Sequence, residues 1–183
     1  GLGDFVTDAL MNVSGADISV FNGGGIRSDI PPGDITLRYV YNSFPFENYI
    51  VTKTLTGSQV VSLIELGLSG LPSAEGSFLQ VGGILVTYDS SQPSGHRVVS
   101  LTLSDGSPLD PDGKYVVASN DYVMAGGDDY DLLSEIPADG SFGLVSDALI
   151  EMFGSVGNIT QNTDGRLIDT SDGTRSPNLS EHS

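Results

Sequence analysis

Cysteine and tryptophan are absent from the 183 residues, and histidine occurs only twice. Without cysteine there is neither a disulfide nor a thiolate metal ligand. A catalytic transition-metal centre usually draws on several imidazoles backed by carboxylates. His96 stands in a Ser-Gly-His-Arg turn and His182 in the polar C-terminal stretch, so the two do not cluster and no such centre is expected in this chain. Positive charge is also scarce, with 7 Lys and Arg against 24 Asp and Glu and a formal net charge of -17. Such a surface repels polyanions, which argues against nucleic acid and an anionic membrane surface as partners. No apolar run approaches the length of a membrane span, and no stretch reads as a signal peptide, which means little for a chain that reads as part of a longer one. The opening Gly1-Leu2-Gly3-Asp4 reads as the inside of a longer polypeptide.

The remainder is ordinary for a globular protein. Hydrophobic residues make up 38% of the chain, enough at this length for one domain with a substantial core. Asn12-Val13-Ser14, Asn158-Ile159-Thr160 and Asn178-Leu179-Ser180 are glycosylation sequons, and with the acidity they point weakly to an extracellular setting.

Local patterning predicts mixed secondary structure. Phe5, Val6, Ala9, Leu10 and Val13 recur at helical spacing, and Ser14-Gly15 ends that helix. Residues 17–21 read as a buried strand that runs into Asn22-Gly23-Gly24-Gly25-Ile26-Arg27. Three glycines leave the main chain bare for a turn or for close approach by a ligand. Arg27 is then either an anion contact or an incidental charge on a tight turn. This is no phosphate loop, because no Gly-Lys-Ser/Thr follows and Pro31-Pro32-Gly33 blocks a long helix. Residues 35–41 suggest a short helix, and residues 50–55 a strand. Thr56 with Gln59 forms a capping-box pattern opening a helix over residues 57–68. Between these elements lies Phe44-Pro45-Phe46-Glu47-Asn48-Tyr49, whose aromatics either pack under a turn or offer a stacking platform.

Residues 78–88 and 97–103 are β-like and joined by a polar turn. Residues 105–113, with two glycines and two prolines, read as a hairpin connection; their carboxylates lack the alternation of an EF-hand calcium loop. Residues 114–119 form another predicted strand, entering Asn120-Asp121-Tyr122-Val123-Met124-Ala125-Gly126-Gly127-Asp128-Asp129-Tyr130. Asp128 is either a turn former or a bidentate acceptor for neighbouring hydroxyls. A helix over residues 142–153 and a closing strand over residues 165–168 complete the pattern. The chain from residue 170 is polar and expected to be disordered.

An arginine, aromatics, an asparagine and an aspartate on glycine-bordered loops would suit a nucleoside monophosphate: rings for the base, a carboxylate for the sugar diol, a guanidinium for phosphate. Asn22-Gly23-Gly24-Gly25-Ile26-Arg27, Pro45-Phe46-Glu47-Asn48, Phe78-Leu79-Gln80-Val81-Gly82-Gly83 with Tyr88-Asp89, and Gly126-Gly127-Asp128-Asp129-Tyr130 together resemble the C-terminal, substrate-recognising domain of the 5′-nucleotidase family. Leu2-Gly3-Asp4 and Gly165-Arg166 fit as well, so the resemblance runs over residues 1–169. It implies an α+β single domain, a four-layer α/β/β/α sandwich, followed by the polar tail 170–183. It further implies that Phe46 and Tyr122 stack on the base, Asp128 holds the ribose hydroxyls and Arg27 meets phosphate and ribose. Asn22 would contact the nucleoside, and Asn48 would lie near the base.

The chain departs from the family pattern in three places. No arginine stands near Val13, Glu47 follows Phe46 where glycine is usual, and Asp129 follows Asp128 where glycine is usual. The added acids sit close to the expected phosphate position, where like charge is unfavourable. The resemblance places hydrolysis at two divalent metal ions in a separate N-terminal metallophosphatase domain, so this chain alone is expected to be inactive. Expected partners are a nucleoside or nucleoside monophosphate and that N-terminal domain, with a homo-oligomer left open. The expected setting is extracellular, cell-surface or periplasmic. The alternative is a non-catalytic extracellular structural or assembly module with a vestigial pocket.

Overall fold

The computed structural model describes residues 1–27, 33, 36–45, 47–73, 76–155 and 165–171. Helix α1 (Leu2–Ser14) buries Val6, Ala9 and Leu10 and stops at Gly15, whose φ of 69° is the left-handed cap. Strand β1 (Ile18–Asn22) is buried at every position. A 3-10 turn over Gly23–Gly25 follows, and α2 (Leu37–Ser43) starts at Thr36, whose hydroxyl accepts from Tyr39 N. Strand β2 (Tyr49–Thr56) leads directly into α3 (Gly57–Leu68), opened by the reciprocal Thr56–Gln59 capping box. That box satisfies two amides that would otherwise lack partners and contributes about 1 kcal/mol.

Next come β3 (Leu79–Gly82), β4 (Ile84–Tyr88), β5 (Val98–Leu103) and β6 (Lys114–Asn120). The one-turn helices α4 (Asp121–Met124) and α5 (Asp131–Ser134) flank the second glycine stretch. Strand β7 (Ala138–Leu144), helix α6 (Val145–Ser155) and strand β8 (Leu167–Asp169) finish the described chain.

Five strands form one sheet in the order β3-β1-β6-β2-β7, and three form a second in the order β5-β4-β8. Helices α1, α2 and α6 pack on one face of the larger sheet, around Leu10, Phe21, Phe44, Ile50 and Leu149. The opposite face, through Ile18, Val20, Leu55 and Val117, meets α3 and the inner face of the smaller sheet at Ile84, Val86 and Tyr88. The fold is therefore α+β, a single domain with two sheets. Arg166 clamps the closing strand to α1 with two 2.8 Å bonds to Asp8 and to β3 with one of 3.1 Å to Val81 O.

Several sequence expectations need correction. Residues 78–88 are two strands in different sheets, because Gly83 (φ 80°) turns the chain between them. The 105–113 connection is no hairpin, since β5 and β6 pair in different sheets; Asp105 and Asp110 there accept from Ser107 N and Asp112 N. Residues 138–144 are a strand, so the last helix begins at Val145 and not at Phe142. As an edge strand with register shifts against β2 and mostly exposed side chains, β7 carries little hydrophobic alternation. Finally, β6 does not run straight into the glycines: one helical turn, α4, intervenes and carries Tyr122. Thr170 N still bonds Tyr88 O at 2.8 Å, while residues 172–183 lie outside the described residues.

Candidate functional site

The sheet order explains why distant residues meet. Strands β1 and β6 are adjacent and parallel, so their carboxyl ends, Asn22 and Asn120, leave the sheet at the same edge. Strand β2 runs antiparallel to β6, with Ile50 opposite Asn120, which brings Asn48 to that edge. Strand β3 runs antiparallel to β1, with Asn22 opposite Leu79, which brings residues 76–78 there too. The carboxyl ends of neighbouring parallel strands are the usual crevice for ligands in mixed α/β sheets.

At that edge four side chains share one network. Asn120 Nδ2 donates to Asn22 Oδ1 at 2.9 Å, and Asn22 Nδ2 donates to Asp128 Oδ2 at 2.7 Å. The Tyr122 hydroxyl donates to Asp128 Oδ1 at 3.0 Å. Asn22 and Asn120 are buried, so their amides are oriented by these bonds, and Asn120 Oδ1 also caps α4 through Val123 N at 2.8 Å. Each Asp128 oxygen thus has one protein donor and keeps acceptor capacity for another. The Tyr122 ring is half exposed, and Gly127 is what lets it lie on the loop: a Cβ there would fall 2.6 Å from the ring. Its hydrogen bond to Asp128 and the charge of that carboxylate push the Tyr122 phenol up.

The loop itself is held in an uncommon conformation. Asp128 and Asp129 both have positive φ, 56° and 68°, a region that L-residues enter at a cost of roughly 1–2 kcal/mol each. Aspartate tolerates it better than most, and a glycine at the second of these positions would tolerate it better still. Tyr130, wholly buried, anchors the loop beneath, its hydroxyl donating to Ser77 O. Burial, with the nearby Asp128 charge, pushes the Tyr130 phenol up. Asn48 stands next to this group and donates through Nδ2 to Asp121 Oδ1 at 2.7 Å.

The first glycine loop is attached through its main chain. Gly23 N bonds Phe78 O at 2.8 Å, Gly24 N bonds Gly76 O at 2.7 Å, and Arg27 N bonds Ser43 O at 2.8 Å. Arg27 is exposed and lines a depression of about 540 Å³ together with Gly24, Leu71, Phe78 and Tyr88. The described lining includes neither Tyr122 nor Asp128. The structure thus joins Asn22, Tyr122 and Asp128 directly, sets Asn48 beside them, and puts Arg27 on the flank of the first loop. Phe46 lies outside the described residues; its neighbour Phe44 is core, edge-on to Phe21 at 5.9 Å. Val13 packs partly buried against the α1 core, and Glu47 and Asp129 are exposed.

Sequence reading quoted Asn120 and Tyr130 within the second glycine stretch but gave neither a role. The signal for Asn120 was an asparagine closing a strand, the same signal as Asn22. Among the described residues no three His, Cys, Asp or Glu side chains come together as metal ligands. The described residues therefore offer no ligand set for a metal pair, and no hydrolytic step is assigned to them.

The fold agrees with the comparisons to known proteins. The family model described as "5'-nucleotidase, C-terminal domain" matches residues 1–135. The chain belongs to that family. It is 36% identical over 176 residues to the trifunctional nucleotide phosphoesterase protein YfkN of Bacillus subtilis, covering 91% of this chain and 12% of that protein. It is 32% identical over 142 residues to the cell wall protein Lmo0130 of Listeria monocytogenes, covering 70% of this chain and 18% of that protein. The crystal structure of a 5′-nucleotidase precursor from Thermus thermophilus superposes with a TM-score of 0.86 at 31% identity, over 92% of this chain and 35% of that one. The chain therefore spans well under half the length of these relatives.

Proposed function

We propose that this chain is the nucleoside- or nucleotide-recognising domain of a 5′-nucleotidase-type phosphohydrolase. The observation that carries the reading is Asp128, a carboxylate aimed by Asn22 and Tyr122 with one acceptor position left on each oxygen. Two adjacent hydroxyls of a ribose match that pair of positions. The Tyr122 ring beside it offers one face for a base, with Phe46 as the second ring of the sandwich, and Asn48 meets the base edge. Arg27 supplies the cation for phosphate. Hydrolysis belongs to a metal-bearing N-terminal domain of the same polypeptide, with two divalent ions, acting on the ester that this domain presents. The setting is extracellular or periplasmic, in keeping with a cell wall protein among the relatives.

Titration of adenosine and AMP by calorimetry tests the reading. Adenosine binds the wild-type chain, its 2′-deoxy analogue binds about tenfold more weakly, and Asp128→Asn loses about 10- to 100-fold, the worth of charge-assisted hydrogen bonds to a diol. Equal affinity of Asp128→Asn and wild type would remove the ribose assignment. The second reading is a non-catalytic wall module, favoured by the same cell wall relative and by the exposed Glu47 and Asp129. It requires that neither adenosine nor AMP binds at all.

A further inference from the structure

Lys53 lies in the middle of β2, on the face that carries Val51 and Leu55 into the core between the two sheets. It is only 6% exposed, and no carboxylate pairs with it among the described residues. Its ammonium donates to Met124 O at 2.7 Å and to Leu133 O at 2.6 Å. Those carbonyls belong to α4 and α5, each one turn long, one on either side of the loop that presents Asp128. An apolar side chain would fill this position at lower desolvation cost, since burying an ammonium is unfavourable unless its donors are satisfied. Burial pushes the Lys53 ammonium down. What the cation supplies is a single point bonded to both ends of residues 125–132. That tie resists spreading of a loop whose Asp128 and Asp129 backbone is left-handed.

We infer that Lys53 is a positioning residue: it closes the base of the 125–132 loop and thereby holds the Asp128 carboxylate at the site edge. The inference rests on the nucleoside reading for its consequence, and on the two carbonyl bonds alone for the loop closure. Lys53 touches no ligand; it acts through Asp128.

Two measurements on the 183-residue chain test it. In Lys53→Met, amide hydrogen exchange accelerates at least tenfold at residues 125–132 and not in α1 or α6, and adenosine affinity falls about tenfold. Leu149→Ala, a core truncation in the other cluster, provides the stability control. It lowers melting temperature and leaves both loop exchange and affinity at wild-type values. If Lys53→Met does not fold, Lys53→Gln, one atom shorter and neutral, carries the same expectation. Unchanged loop exchange, or an increase spread evenly over the chain, overturns the inference. Should wild type fail to bind adenosine, the nucleoside reading falls while the exchange result still decides whether Lys53 closes the loop.

Discussion

Three main-chain bonds hold the loop from Asn22 to Arg27, joining Gly23, Gly24 and Arg27 to Phe78, Gly76 and Ser43. The loop from Gly126 to Tyr130 is held mostly by side chains: Asp128 on Asn22 and Tyr122, Tyr130 on Ser77, and Lys53 beneath. Both follow a strand, both contain adjacent glycines, and both reach the same sheet edge. Backbone attachment tolerates changes of side chain, whereas side-chain attachment makes every anchor a point of failure. The first loop is thus a robust frame, and the second is the adjustable part of the site.

Substitutions can break that contrast. The largest effect is expected at Tyr130, the biggest wholly buried side chain under the second loop. Tyr130→Ala should lower stability by about 3–5 kcal/mol, the range for deleting a buried aromatic, as measured by urea unfolding. Asn22 links the two loops, and its removal strands Asn120 Nδ2 and one Asp128 oxygen. Asn22→Ala should cost about 2–4 kcal/mol, because each buried polar group left without a partner costs roughly 1–3 kcal/mol. Arg27→Ala should weaken AMP and leave adenosine nearly unchanged in calorimetry, because adenosine lacks the phosphate that a guanidinium would meet. Equal loss for both ligands would show that Arg27 serves the loop and not the phosphate.

The smallest effect is expected from Tyr122→Phe, which keeps the ring and removes the donor to Asp128. Adenosine affinity should move by less than about threefold. Because the hydrogen bond to Asp128 and its charge hold the proton on Tyr122, that phenol ionises above the ordinary tyrosine value. Subtracting the phenolate absorbance titration of Tyr122→Phe from that of wild type should isolate a component above pH 10. A component below that value would mean that the phenol is not on the carboxylate.

Much of the frame was legible residue by residue. The α1 periodicity, the Thr56–Gln59 box, the glycine after Ser14 and the apolar runs of β1, β2 and β6 are local signals, and local energetics decide them. The β7 strand escaped because an irregular, exposed edge leaves no period to read. The Gly83 break escaped because residues 78–88 are mostly apolar, and nothing in such a run says that its halves pair in different sheets. Lys53, in an otherwise β-like stretch, carries no local sign of its burial, since its acceptors come from residues 71 and 80 positions away.

Composition and motif order alone determined the class: a cysteine-free, acidic α+β domain carrying the glycine loops of the 5′-nucleotidase C-terminal family. Those features depend on residue chemistry and on short-range spacing. Tertiary structure decided which residues form one site. Parallel pairing of β1 with β6 puts Asn22 and Asn120 side by side, and only then can Asp128 be oriented across 106 positions of chain. Pairing between strands distant in sequence is set by the summed burial of two sheets, a quantity that no stretch contains on its own.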